Sequence, residues 1–190
     1  MKKVVSIALM VALLLVAAVA IADTELTVPS KTTDDLAEAT AAVANPVEGK
    51  TPAVSFNVAD DAPQAIAAEA ELAKVQAAGT LEGYFNAETV AAVQAILGEG
   101  EISMDEFLPF VITDYEEAMG DLIITAKFAT PYENGEKVAV LVGLVGEDGA
   151  VAWTVYEGVG LADGSVQFTV EPATALAIVN GTALLNVLSK

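Results

Sequence analysis

The chain has 190 residues, with 27 acids against 8 lysines, a formal net charge of -19, and no cysteine, histidine or arginine. That set rules out a disulfide framework, a thiol nucleophile, Cys- or His-based metal sites, the Ser-His-Asp triad and bidentate guanidinium recognition of anions. A field of this sign repels phosphate backbones and anionic surfaces, so nucleic acid is not an expected partner.

Met1-Lys2-Lys3 is followed by Val4 to Ile21, apolar except for Ser6, and by Ala20-Ile21-Ala22 ahead of Asp23. This is the layout of a secretory signal peptide over residues 1–22, with cleavage before Asp23. Retained, the same run approaches the length of a membrane span, and membrane contact is expected only in that case. Cleavage removes Lys2 and Lys3, leaving 27 acids against 6 lysines, or -21. The expected location is secreted or at the extracellular surface.

Residues 23–58 are rich in Thr, Ala, Pro, Asp and Glu and read as a linker or loosely attached arm. Within them a short helix is placed between Asp34 and Ala44, capped by Thr33 and stopped at Asn45-Pro46, and Val54-Phe56-Val58 alternates as an edge strand. Residues 59–98 form the helical segment. Asp61 caps a helix that passes through Pro63 and ends at Gly79, with Ile66, Leu72 and Val75 as its bulky apolar residues. Asn86 caps a second helix ending at Gly98, with Val90, Val93 and Leu97 on one stripe and Glu88 at the positive dipole end.

Leu81-Glu82-Gly83-Tyr84-Phe85-Asn86-Ala87-Glu88-Thr89, followed by Ala92-Val93, is similar to the Asp-Gly-x-Phe-Gly-x-x-Thr-x-x-Ala-Val segment of the small helical peptidoglycan-binding domain. Glu82 stands for the usual Asp and Asn86 for a Gly, and the Leu-Gln helix that normally precedes the motif is not visible. The resemblance implies cell-wall attachment of a bacterial extracellular protein through residues 81–97.

Residues 99–190 read as strands. Phe107 to Ile112 contains Pro109 and suits an edge, Leu122 to Phe128 alternates, Val166 to Val170 alternates, and Ala183 to Leu188 closes the chain after a helical turn around Pro172 to Ile178. At the centre, Lys137–Val145 and Ala150–Tyr156 are joined by Gly146-Glu147-Asp148-Gly149 as a hairpin. Its first strand is apolar on both faces. Val140 and Trp153 are expected to share the core, and Leu141 to lie beneath the helices or a partner. Six strands at short spacing fit an antiparallel immunoglobulin-like β-sandwich, so the expected class is α+β, with a C-terminal sandwich and a small N-terminal helical segment.

Chemistry is restricted to carboxylates, Ser, Lys and Tyr. The densest acids are Asp105/Glu106, Asp114, Glu116/Glu117 and Asp121, which a carboxylate-based hydrolase would pair across a cleft. Gly146 to Gly149 and Asp163-Gly164 offer oxygen ligands for calcium, but hairpin turns use the same residues. No catalytic, cofactor-binding or metal residue is assigned. Tyr132, Tyr156 and Leu141 are the candidate contact surface, for an unknown extracellular protein or glycan. The expected function is that of a secreted, non-catalytic module with a binding or structural role.

Overall fold

Alternating β-branched residues in the second half of the chain form the strands of an α+β protein built on one large sheet, described over residues 24–29 and 38–190 of a computed structural model. The signal segment 1–22 and the cap Thr33 lie outside the described residues. The strands are β1 (Leu26–Thr27), β2 (Glu38–Val43), β3 (Ala53–Ser55), β4 (Ile102–Thr113), β5 (Leu122–Lys127), β6 (Lys137–Val145), β7 (Val151–Gly160), β8 (Val166–Val170) and β9 (Thr182–Ser189). The helices are α1 (Pro63–Ala78), α2 (Leu81–Tyr84), α3 (Ala87–Leu97) and α4 (Pro172–Asn180). The strand order is β1-β4-β9-β6-β7-β8-β5-β2, with β3 also on β4, antiparallel except for the β1–β4 pair.

This single hydrogen-bonded path stands in place of the expected two-sheet sandwich. The sheet rolls until β2 comes alongside β3, which brings its two ends together. The helical segment is not N-terminal either, because three strands precede it. Residues expected to form a linker supply those strands. Where a helix was expected over Asp34 to Ala44, Glu38–Val43 pairs with β5, and Ala39, Ala41 and Val43 turn alternately onto the inner cluster. Alanine's helix preference is a fraction of a kcal/mol per residue, and six residues of sheet pairing with one apolar face outweigh it.

Two apolar clusters result. The inner one lies within the rolled sheet and holds Phe56, Phe110, Val140, Val142, Phe168 and Leu185, with Ala175 and Ile178 of α4 packed into it. The outer one joins α1, α2 and α3 to the convex face through Leu72, Val75, Leu81, Phe85, Val93, Phe107, Leu141 and Leu184. A β-bulge between Met104 and Glu106 makes β4 serve both. Ile102 and Met104 face outward, and the extra residue Asp105 reverses the alternation so that Leu108, Phe110 and Ile112 face inward. β4 is therefore central rather than an edge. Pro109 is tolerated because β1 covers only Ile102 and Ser103, and β3 only Val111 to Thr113, so Pro109 lies in the gap between them.

Leu141 is fully buried beneath the helices, as expected, but Trp153 is not in the inner core with Val140. The hairpin loop holds five residues, not four, because Ala150 joins it and Gly146 N–H donates to the Ala150 carbonyl. Val145 therefore faces Val151, Val140 pairs with Tyr156, and Trp153 lies opposite Gly143 on the face of Leu141. One residue of loop length exchanges the two faces of a strand. Among the described residues no helix is long and apolar enough to cross a membrane.

Candidate functional site

Helix α1 buries Ala68, Leu72 and Val75, one stripe at helical spacing, and Glu71 falls on that stripe. Glu71 is 6 % exposed. A carboxylate so placed needs partners, and it has two. The Tyr84 hydroxyl donates to its Oε2 at 2.7 Å, and Lys74, one turn on, pairs with Oε1. The Lys74 side chain is otherwise largely exposed.

Tyr84 is delivered by the single turn α2, started by Thr80, whose hydroxyl accepts from Gly83 N–H at 3.1 Å. Asn86 then opens α3 by accepting from Thr89 N–H at 2.9 Å. Between these caps, Tyr84 and the buried Phe85 stand edge-on to each other, with centroids 4.7 Å apart. Trp153 meets Phe85 at 5.7 Å, Phe107 at 6.2 Å and Tyr84 at 6.3 Å, all edge-to-face. Its ring lies over Gly143, where a Cβ would come within 2.6 Å of Cζ3, so the flat placement of the indole requires glycine.

These residues line two neighbouring chambers that share Glu71 as a wall. One, of about 280 Å³, is walled by Tyr84, Asn86, Val151 and Trp153. The other, of about 440 Å³, is walled by Pro63, Ile66, Ala67, Ala70, Lys74, Val145 and Gly149 and is mainly apolar. Ile66, 57 % exposed, stands at its rim instead of in the core. Burial, then the hydrogen bond and charge of Glu71, push the Tyr84 phenol well above its ordinary range, with the Trp153 indole acting slightly the other way. Tyr84 is thus a neutral donor, and the buried Glu71 side chain stands at the junction of an aromatic and an aliphatic chamber.

The residues expected to form a contact surface lie elsewhere. Leu141 is fully buried and Tyr132 is 5 % exposed, so neither offers a surface. The Tyr132 hydroxyl donates to Asp105 Oδ2 at 3.2 Å, and burial, then the charges of Asp105 and Glu106, push the phenol up. Tyr156 packs against the inner cluster; its buried hydroxyl faces Glu171 and Thr174 but makes a hydrogen bond of good geometry to neither.

Of the acids that crowd the sequence, Asp105 stands apart, whereas the charges of Asp114 and Glu116 both reach Lys50 and those of Glu117 and Asp121 both reach Tyr115. Asp105 sits in the β4 bulge and Asp114 just past the strand's far end, separated by about 30 Å of extended chain. Glu116 pairs with Lys50 at 2.7 Å, both partly exposed. The turn acids shape their own loops. Asp148 Oδ1 accepts from Ala150 N–H at 3.0 Å, and Asp163 Oδ1 accepts from Ser165 N–H at 3.1 Å and its hydroxyl at 2.6 Å, which holds the Asp163 carboxyl below its usual range. Among the described residues no group of three or more acids is placed to hold a metal ion.

Segment 81–97, the one that is similar to a wall-binding motif, forms α2 and α3, and its Leu81, Phe85, Val90, Val93 and Leu97 are spent on the outer cluster. No family model matches the chain, and no curated protein or solved structure is significantly similar to it.

The Glu71 site was not read from the sequence. The available signal was Glu71 itself, three residues after Ala68 and four before Val75, an acid on the apolar stripe of an alanine-rich helix.

Proposed function

We propose that the chain is an exported, non-catalytic binding module whose ligand occupies the two-chambered cleft between α1 and the tip of the β6–β7 hairpin. The observation that carries this reading is the Glu71 carboxylate, buried within a helix stripe yet placed where an apolar and an aromatic chamber meet. Binding sites commonly combine a mostly apolar concavity with a few fixed polar groups. Export is supported by the basic start, apolar run and Ala20-Ile21-Ala22 ahead of Asp23. The non-catalytic reading is supported by the absence of His, Cys and Arg and by the hydrogen bond that Tyr84 makes to Glu71.

Trp153 is the single tryptophan and borders the cleft, so its emission reports occupancy. Mature protein starting at Asp23 is titrated with six-carbon probes of three kinds, a cation, an anion and a neutral alcohol. At least one shifts Trp153 emission saturably, and Ile66→Asp, which charges the apolar rim, abolishes the shift. No saturable response to any probe rejects the cleft as the site. Turnover of hydrolase substrates that disappears on changing Glu116 or Glu117 rejects the non-catalytic reading.

A further inference from the structure

We propose that the ligand of this cleft is a primary ammonium group on a short aliphatic stem, an inference that rests on the cleft being the binding site. The protein already shows what fits. Lys74 is itself an ammonium on a four-carbon stem; it lines the apolar chamber and places its charge on Glu71 Oε1. Its side chain is 59 % exposed, so swinging it into solvent costs little packing, and an incoming ammonium replaces it like for like.

Three further observations select a cation. Glu71 is buried, so its attraction for a positive charge is screened less than that of a surface acid. Tyr84 and Trp153 wall the chamber beside it, and aromatic faces attract ammonium groups. The surrounding field, from 27 acids and 8 lysines, concentrates cations and repels carboxylates and phosphates. An anionic ligand would find Lys74 as the only cationic side chain among the residues that line the cleft, already held by Glu71, and no arginine anywhere in the chain. The apolar chamber lined by Ile66, Ala67, Ala70 and Val145 then takes the stem.

Such a group is carried either by a free alkylamine or by a lysine side chain of a protein, and the test includes both. Trp153 emission of the mature protein is followed with n-hexylammonium, Nα-acetyl-lysine methylamide, hexanoate and hexanol at low salt. Hexylammonium is expected to bind at least tenfold more tightly than hexanoate or hexanol. Comparable binding of the lysine derivative assigns a protein-borne ammonium, and its exclusion assigns a free amine.

Glu71→Gln, whose carboxamide oxygen still accepts from Tyr84, is expected to weaken hexylammonium binding at least tenfold. Lys74→Ala removes the internal competitor and is expected to tighten it several-fold, the opposite of what a merely structural lysine would give. Hexanoate or hexanol binding as tightly as hexylammonium, with Ile66→Asp abolishing all responses, leaves the cleft as the site and overturns the ammonium assignment. Weaker binding by Lys74→Ala overturns it as well. Silence from every probe overturns the cleft itself.

Discussion

Gly143→Ala tests the packing of the site through the sign of its effect. In the middle of β6 a glycine is a weak choice, and propensity alone predicts that alanine stabilises by about 0.5–1 kcal/mol. The structure predicts the reverse. A Cβ at Gly143 would meet Trp153 Cζ3 and Val151 Cγ1 at 2.6 Å and Trp153 Cε3 at 2.8 Å, distances that real side chains do not sustain. The indole must lift from the strand, and overpacking of this kind costs about 1–3 kcal/mol. Lifting it also disturbs edge-to-face contacts with Phe85, Phe107 and Tyr84, each worth about 0.5–1.5 kcal/mol. Taking the propensity gain from a mid-range overpacking cost and the loss of one such contact leaves a destabilisation of about 2 kcal/mol. Urea unfolding of the mature protein followed by Trp153 emission measures this directly, and the native emission maximum should move as the indole is exposed. A variant as stable as the parent, with an unmoved maximum, would refute the placement of Trp153 over Gly143 and with it the hairpin register.

Three further outcomes follow from the same packing. Asn186 is fully buried between Phe107 and Leu141, and among the described residues neither its Oδ1 nor its Nδ2 finds a partner, so Asn186→Leu should stabilise by about 1 kcal/mol or more in urea unfolding; an equal loss would mean that the carboxamide is hydrogen-bonded in solution. Tyr84→Phe removes the neutral donor to Glu71 and should cost about 1.5–3 kcal/mol, whereas a cost below 0.5 kcal/mol, within surface-substitution range, would show that the carboxylate does not depend on it. All four tyrosines, Tyr84, Tyr115, Tyr132 and Tyr156, are held above the ordinary value of 10.0, chiefly by burial. Their contribution to stability is full below pH 10 and is lost as pH rises further, because the unfolded chain releases phenolic protons that the folded chain retains. Each retained proton steepens the loss by about 1.4 kcal/mol per pH unit. Tyrosinate absorbance should therefore appear in one step together with loss of circular dichroism, and a separate titration near pH 10 in the folded protein would contradict the burial of these rings.

Much of the fold was legible where a local pattern coincides with the burial it produces. Leu122, Ile124 and Ala126 alternate and face inward, and Asn86 and Gly98 bracket α3 as caps should. Legibility failed where a non-local term decides. Glu38–Val43 has no strand signal beyond the alternation of Ala39, Ala41 and Val43, and only the edge offered by β5 makes it a strand. Trp153 was misplaced by one residue of loop, Ala150, whose membership of the turn depends on the Gly146–Ala150 hydrogen bond. The bulge at Asp105 reversed a strand that otherwise looked like an edge because of Pro109. For the site, the acids dense in sequence line neither chamber of the cleft, while Glu71 gained its character from Tyr84 thirteen residues later and from a hairpin still further on. Sequence spacing along α1 places Glu71 on the buried face, but no local rule supplies the aromatic wall opposite it.

The most direct test of the account is where a bound stem lies. In the mature protein saturated with n-hexylammonium, intermolecular nuclear Overhauser contacts should run from the terminal methyl to Ile66, Ala70 and Val145, and from the methylene next to nitrogen to Tyr84 and Trp153. Contacts confined to any other surface, such as the Tyr132–Asp105 corner, would contradict the assignment of the cleft.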